Sequence, residues 1–214
     1  MLNEEGATSE AQLLELMALR AAGLPPRKLL RLFLSDEAKP AELPLDLPTD
    51  IDCYREMIEQ ALPLAKEELA RCRQAGITLL PYFTSDYPVA LHALGGSRPV
   101  LLYAKGDLGL LQSPASILGI VGTRQPSSEG LAAAHRIAYE EAEKGRVILS
   151  GLAYGCDAAA HHGALEATGR TIAVIATGLD RTHPEAHQAL QDRIITSGGL
   201  VLSEYPLATP VDTY

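Results

Sequence analysis

Tryptophan is absent from this chain of 214 residues, and phenylalanine occurs only twice. The side chains available for a core are therefore mainly aliphatic. Only three cysteines occur, Cys53, Cys72 and Cys156, and none belongs to a C-x-x-C pair. This number and spacing argue against a disulfide framework and favour a reducing compartment. We expect each thiol to serve as a small buried apolar side chain.

Positive charge is also scarce. Lysine and arginine number 18 against 27 acidic residues, which gives a formal net charge of -9. Such a chain repels a polyanion at long range, so binding of nucleic acid requires a local cationic pocket. The first ten residues lack a basic segment, and no uncharged run approaches the roughly 20 residues that span a bilayer. We therefore predict a cytoplasmic protein that does not bind membranes.

The N-terminal part has helical patterns. Residues Ser9–Gln12 match a capping box, and Gly23 stands where a glycine typically ends a helix. Pro26 is expected in the first turn of a second helix. A third helical pattern covers Ile51–Ala75, while the three prolines within residues 38–49 predict a loop.

From Ala115 onward, short aliphatic runs alternate with helical segments. The predicted strands are Ser116–Val121, Val147–Leu149, Thr171–Ala176 and Leu200–Leu202, and the predicted helices are Leu131–Lys144, Ala158–Ala167 and Glu185–Thr196. Aliphatic strands separated by helices are typical of a parallel sheet covered on both faces. The pattern therefore predicts an α/β, doubly wound fold, in which ligands bind outside the carboxyl ends of the strands.

The loop after the first of these strands, residues 122–130, could bind an anion. Gly122 permits a sharp turn, Arg124 offers a planar set of donors, and the following helix begins with free backbone N–H groups. The loop lacks the glycines of a dinucleotide fingerprint and the G-K-[ST] of a P-loop. A solvated arginine beside an ordinary capped helix explains the pattern equally well.

The loop after the second strand is rich in small residues that let a ligand approach the backbone: Gly151, Ala153 and Gly155. Asp157 can cap the next helix and lies on the same helical face as His161. This pair is compatible with a binding site or with ordinary capping. Cys156 and His161 are five residues apart, which separates them by well over a right angle on a helix, so a thiol enzyme is not predicted.

The loop after the third strand contains His183 and His187, but Glu185 does not stand next to the first histidine as a zinc helix requires. We predict no metal site here. Arg181 is a candidate second phosphate contact. After the fourth strand, Tyr205 could stack on a base or simply cover the end of the sheet.

Four ordered motifs resemble those of the DprA/Smf family, also called DNA-processing protein A. They are G-T-R at 122–124, S-G-L-A-x-G-x-D-A-x-A-H at 150–161, T-I-A-V-x-x-T-G-L-D-R at 171–181 and S-E-Y-P at 203–206. The resemblance runs from about residue 76 to the end. It implies a Rossmann-like DNA-binding domain over 76–214. The preceding residues 1–75 are similar to the sterile-alpha-motif-like helical domain of many members.

The resemblance also implies a function. The chain would bind single-stranded DNA, protect incoming DNA, load the RecA recombinase during natural transformation and form a homodimer, without being an enzyme or holding a cofactor. The matching DNA-binding positions are Gly122, Thr123, Arg124, Ser150, Gly151, Ala153, Gly155, Asp157, Gly178 and Arg181. Arg124 is the leading candidate among them for a DNA contact.

The sequence also departs from the family pattern. Unusual residues stand at Tyr154, Cys156, Ala176, His183 and His187. The chain stops at the final tyrosine, where the family continues into a basic F-P-x-R-N-R segment. We therefore expect either a truncated chain or an unusual member, with DNA affinity or dimerisation reduced or lost.

Two other functions remain open. A phosphoribohydrolase-like enzyme would hold a nucleotide in the same loops, but the P-G-G-x-G-T-x-x-E loop of such enzymes is absent. Alternatively, the N-terminal helices make the chain a protein-interaction module whose Rossmann-like part is a scaffold.

Overall fold

The computed structural model describes residues 4–33, 50–113 and 116–209. Its helices are α1 Glu4–Ala21, α2 Pro26–Phe33, α3 Arg55–Gln74, α4 Ser128–Glu143, α5 Cys156–Ala167 and α6 Gln188–Thr196. Its strands are β1 Thr78–Pro81, β2 Leu101–Gly106, β3 Ile117–Gly119, β4 Val147–Ser150, β5 Thr171–Ile175 and β6 Leu200–Ser203. The chain divides into two compact units, Met1–Ala75 with Leu80–Leu101, and Gly76–Leu79 with Leu102–Tyr214.

In the first unit, α1 packs against α3 and α2. The helix begins at Glu4, so the capping box predicted at Ser9 does not start it. Gly23 adopts a φ of 87° and ends the helix as predicted. Pro26 is the first residue of α2, also as predicted.

The remaining predictions for this unit, and those for the three cysteines, have mixed outcomes. A short 3-10 helix, Ile51–Tyr54, precedes α3, so the third helical pattern is confirmed with a tighter first turn. The loop predicted over 38–49 lies outside the described residues. Cys72 is buried as expected, but Cys53 is exposed and Cys156 is half-buried. Burial was wrong for Cys53, which lies in that 3-10 helix, where Tyr54 is the buried residue.

Tyr82 joins the loop after β1 to α2. Its ring is buried, and its hydroxyl donates a hydrogen bond of 2.8 Å to the carbonyl oxygen of Leu30. Burial raises the pKa of Tyr82, so the phenol remains a donor. The contact therefore supplies a partner for a carbonyl in the last turn of a short helix.

The Tyr82→Phe substitution is expected to lower the free energy of unfolding by about 1 kcal/mol, since it removes this bond and leaves the Leu30 carbonyl without the hydroxyl. Urea unfolding measures the change. Tyr139→Phe, at an exposed position on α4, is the matched control and should have almost no effect. Equal stabilities for the two variants would contradict the assignment.

The six strands form one sheet in the order β1-β2-β6-β5-β4-β3. Strands β3, β4, β5 and β6 are parallel, and β2 pairs with β6 in the antiparallel direction. The α/β fold with a mostly parallel sheet is thereby confirmed, and each predicted strand and helix from residue 116 onward is present with shifted ends.

Successive parallel strands step in one direction across the sheet, so right-handed crossovers place α4, α5 and α6 on the same face. This is the arrangement of one half of a doubly wound sheet. The core on this face consists mainly of small residues on α4 and α5 packed against β4: Ala138, Ala142, Ile148, Ala160 and Ala164. Because these side chains are small, the two helices lie close together and fix the loops that precede them.

Candidate functional site

The carboxyl ends of β3, β4, β5 and β6 meet at one edge of the sheet because these strands are parallel. The loops that leave them contain all the site residues predicted from the sequence. We call residues 120–130, 150–157, 176–187 and 203–209 the strand-end rim.

The first rim loop holds Gly122, Thr123 and Arg124, and all three are exposed. A Cβ atom at Gly122 would lie 2.6 Å from the Sγ atom of Cys156, so only glycine fits there. The Thr123 hydroxyl accepts a hydrogen bond of 3.1 Å from the backbone N–H of Gln125. The loop therefore turns tightly and leaves the Arg124 side chain in solvent.

The start of α4 differs from the prediction. The Ser127 hydroxyl accepts a hydrogen bond from the N–H of Gly130 at 3.2 Å. The pKa of Glu129 is lowered, mainly by its own backbone N–H and then by the hydroxyls of Ser127 and Ser128. The N–H of Gly130 thus has a side-chain partner, and Glu129 adds a carboxylate to the same turn. The expectation of free N–H groups at this terminus was wrong at Gly130, so an anion bound here would depend mainly on Arg124.

In the second loop, Asp157 organises the backbone. It is buried in the first turn of α5, where its Oδ2 atom accepts hydrogen bonds from the N–H groups of Gly151 and Ala153 at 3.2 Å and 3.4 Å. The predicted capping role was wrong, because Gly155 occupies the N-cap position. The carboxylate is directed at loop amides and stabilises the loop as a bridge.

Three contacts tie the first two loops together. The Ser150 hydroxyl donates to the carbonyl of Ile120 at 2.6 Å, and the Cys156 N–H donates to the carbonyl of Thr123 at 3.2 Å. Gly155 packs against the Thr123 carbonyl oxygen with a φ of 77°. The small residue at 155 is therefore needed for contact between the first and second loops.

His161 lies behind this loop and does not pair with Asp157. It is fully buried, and its Nδ1 atom lies 2.8 Å from the Thr171 hydroxyl. Burial, together with the nearby His162 and His187, lowers the pKa of His161 to about 3. A neutral imidazole bound to a threonine is a structural element, and it does not activate the Cys156 thiol.

The third and fourth loops are joined in the same way. The Ser203 hydroxyl donates to the Thr177 carbonyl at 2.6 Å, and the Asp180 carboxylate accepts from the N–H of Ala208 at 2.9 Å and 3.0 Å. A Cβ atom at Gly178 would lie 2.5 Å from the carbonyl oxygen of Pro206. Neighbouring Arg181 is exposed. The carboxylate in this loop is thus engaged by an amide, as Asp157 is in the second loop.

His187 connects the second and third loops. Its Nδ1 atom lies 2.8 Å from the carbonyl oxygen of Leu152, and its ring meets that of Tyr154 edge-on at a centroid distance of 4.9 Å. His183 is exposed. Within residues 4–33, 50–113 and 116–209, no three histidine, cysteine or acidic side chains are grouped so as to hold a metal ion.

The predicted site residues thus fall into different environments. Exposed positions are Gly122, Thr123, Arg124 and Arg181, half-buried positions are Gly151, Ala153 and Gly155, and buried positions are Ser150, Asp157 and Gly178. The buried residues contact the backbone of the rim loops and stabilise them. The sequence did not predict the contact of His187 with the Leu152 carbonyl. The two residues are far apart in the chain, and sequence spacing does not indicate such a contact.

Comparison with known proteins identifies the family to which this fold and these motifs belong. A family model described as DNA recombination-mediator protein A matches residues 78–214. The chain belongs to the DNA recombination-mediator protein A family. This confirms the predicted resemblance to DprA/Smf proteins.

Relatives in this family extend beyond the matched part. The chain is 39% identical over 152 residues to DNA processing protein DprA of Bacillus subtilis, which covers 71% of this chain and 50% of that protein. It therefore spans half the length of that relative.

Two solved family structures resemble the fold. The X-ray structure of DNA processing protein A from Streptococcus pneumoniae superimposes with a TM-score of 0.73 at 32% identity, over 92% of this chain and 69% of that one. The Helicobacter pylori protein, whose structure was described for its mode of binding single-stranded DNA, gives a TM-score of 0.53 at 30% identity. That match covers 64% of this chain and 59% of the other. None of the helices in the described ranges is long and apolar enough to cross a membrane.

Proposed function

We propose that the chain binds single-stranded DNA along the strand-end rim, with Arg124 and Arg181 contacting phosphates and without catalysing a reaction. The carrying observation is the placement of four charged side chains of the rim. Both arginines are exposed, whereas Asp157 and Asp180 are directed at backbone amides. The family name and the Helicobacter pylori structure support this choice of ligand.

Aromatic and apolar side chains are also exposed at the rim. Val121, Tyr154 and Tyr205 have exposed fractions of 78%, 49% and 43%. Arginines alternating with exposed aromatic rings suit an unpaired strand, because its phosphates and its base faces are both accessible. A duplex presents phosphates but hides the base faces, so the rim favours single strands.

The chain carries a net charge of -9, so few phosphate contacts are expected, and their number sets the salt dependence. Each phosphate contact to a single strand adds about -0.7 to the slope of log affinity against log salt. Two arginine contacts therefore predict a slope of about -1.4, which is shallow for a nucleic-acid-binding protein. Such binding does not require an extended basic surface.

The Arg124→Ala substitution is expected to weaken binding of an unstructured oligonucleotide about 10-fold, because it removes a charge-assisted contact to phosphate. It should also reduce the salt slope by about 0.7. Fluorescence anisotropy with a labelled oligonucleotide at several salt concentrations measures both values.

Arg136→Ala provides the matched control, since Arg136 is an exposed arginine on α4 that pairs with Glu140. Unchanged affinity in the Arg124→Ala protein, or equal affinity of the wild-type chain for duplex and single strands, would count against the proposal. Release of a base from nucleoside monophosphates would instead favour the phosphoribohydrolase-like alternative.

The finer role that we propose is protection of incoming DNA and its transfer to RecA during natural transformation, in the cytoplasm and as a homodimer. The description of the family as recombination mediators supports a role next to a recombinase. The rate at which RecA filaments form on single-stranded DNA, with and without the chain, tests it. No acceleration would limit the function to DNA binding.

A further inference from the structure

Tyr154 is an exposed aromatic residue in a loop that is otherwise held firmly. It lies between two half-buried small residues of the second rim loop, and its side chain remains 49% exposed. An exposed tyrosine ring can serve as a binding surface only if the loop that carries it holds the ring in one orientation. The loop around Tyr154, however, is fixed by contacts on both sides.

The backbone contacts come first. The Asp157 carboxylate accepts hydrogen bonds from Gly151 and Ala153, and the side chain of Leu152 is fully buried. Leu152 also adopts a φ of 61°, which is rare for a residue with a Cβ atom and is retained only where the surroundings enforce it. The backbone that leads into Tyr154 therefore has one well-defined conformation.

The ring itself is supported by His187. The imidazole is anchored to the Leu152 carbonyl at 2.8 Å, and its plane meets the Tyr154 ring at an interplanar angle of 69°. An edge-on contact leaves at least one face of the tyrosine uncovered by the imidazole. The ring is thus oriented by a neighbour and still has a face available to a ligand.

Tyr154 also lies beside the proposed phosphate contact. It directly precedes Gly155, where a Cβ atom would lie 2.9 Å from the carbonyl carbon of Arg124. The aromatic residue and the arginine therefore leave the backbone at neighbouring points of two loops in contact. A nucleotide has a charged phosphate and a flat base connected by one sugar, and this juxtaposition offers a partner for each.

We propose that Tyr154 is a stacking platform for a nucleobase of the bound strand, and that His187 is the positioning residue that holds its ring. This inference rests on the proposed function, since it names how the same rim contacts the bases. Stacking requires only a flat base, so the site would accept any of the four bases.

The test compares two ligands of equal length, an ordinary oligonucleotide and an oligomer of abasic sugar phosphates. Wild-type chain should bind the ordinary strand more tightly than the abasic strand. Tyr154→Ala should lose about 10-fold affinity for the ordinary strand and little for the abasic one, whereas Arg124→Ala should weaken both. His187→Ala should reduce the preference for the ordinary strand over the abasic strand, although His187 itself does not contact the bases.

Fluorescence gives a second readout. The chain contains no tryptophan, so Tyr154→Trp introduces a single indole at this position. Its emission should be quenched by the ordinary strand and not by the abasic one. Tyr139→Trp, at an exposed site on α4, is the control and should not respond to either.

The outcomes separate the two ideas. If wild-type chain binds neither ligand, the proposed function and this inference both fail. If it binds both ligands equally, or if Tyr154→Ala leaves the ratio of the two affinities unchanged, DNA binding stands and the stacking role of Tyr154 is wrong.

Discussion

Replacing Gly155 with alanine is expected to lower the free energy of unfolding by about 3 kcal/mol and to abolish the DNA binding that we propose for the rim. Two independent causes, backbone strain and a steric clash, contribute to this loss of stability. Gly155 has a φ of 77° and a ψ of -122°, a conformation that residues with a Cβ atom adopt only under strain. The new Cβ atom would also lie 2.7 Å from the Cδ atom of Pro126 and against the backbone of Thr123 and Arg124.

Backbone atoms cannot yield as a flexible side chain can, so the first and second rim loops would have to separate. That separation would break the bond between Cys156 N–H and the Thr123 carbonyl and displace Arg124 from its neighbour Tyr154. Binding should therefore fall further than the loss of stability alone requires. Chemical unfolding and anisotropy with labelled single-stranded DNA measure the two effects.

Gly198→Ala separates the causes. Gly198 has a φ of 81°, but a Cβ atom added there would meet no atom of the described residues within 4 Å, so the substitution introduces conformational strain without a steric clash. We expect a loss of about 1 kcal/mol and normal DNA binding. If the two alanine variants were equally stable, the contact between the loops would not be important for the fold.

Gly155 also shows how far the sequence could predict the site. Small residues after a strand predicted that a ligand could approach the backbone, whereas the close neighbour of Gly155 in the structure is the first rim loop. Likewise, Asp157 at the start of a helix predicted a cap, whereas the carboxylate reaches back to Gly151 and Ala153. In both cases the observed partner depends on the conformation and packing of the loops, which the local sequence does not report.

The fold was more predictable than the site for a physical reason. Aliphatic strands and helices repeat a pattern over many residues, so the alternation from residue 116 onward identified every strand and helix of the parallel sheet. The occupation of the α4 terminus depends on two side chains, the hydroxyl of Ser127 and the carboxylate of Glu129, and no periodic pattern reports it. Strand order required knowledge of which strands pair, and the antiparallel pairing of β2 with β6 is not visible in the sequence.

Acid is expected to destabilise the fold through His161. The Thr171 hydroxyl donates to the Ile148 carbonyl at 2.7 Å, so its contact with the imidazole must be donated by Nδ1–H of His161. The Nε2 atom is then a buried lone pair, and it has no hydrogen-bond partner among the residues that the structure describes. Protonation would place an unpaired charged N–H in the core between β5 and α5, which is costly.

The direction in which stability changes with pH follows from the pKa of His161 in the folded and unfolded states. The pKa of His161 is lowered to about 3 in the folded chain, mainly by burial, and stands near 6.5 when the chain unfolds. Between these values the unfolded state binds the additional proton, so stability is fully present above about pH 6.5 and falls as the pH is lowered toward 3. The loss approaches about 1.4 kcal/mol for each pH unit, or about 2 kcal/mol between pH 7 and pH 5.

The His161→Asn substitution isolates this contribution, because the asparagine amide can still donate to Thr171 but does not titrate. The variant should be less stable than wild type at pH 7, since it leaves unfilled space, yet it should lose about 2 kcal/mol less on moving to pH 5. Urea unfolding at both pH values measures the difference, with the exposed His183→Asn as the control. Among the described histidines, only His161 combines full burial with a ring nitrogen that has no hydrogen-bond partner. If wild type and His161→Asn had the same pH dependence, groups other than His161 would cause the acid sensitivity.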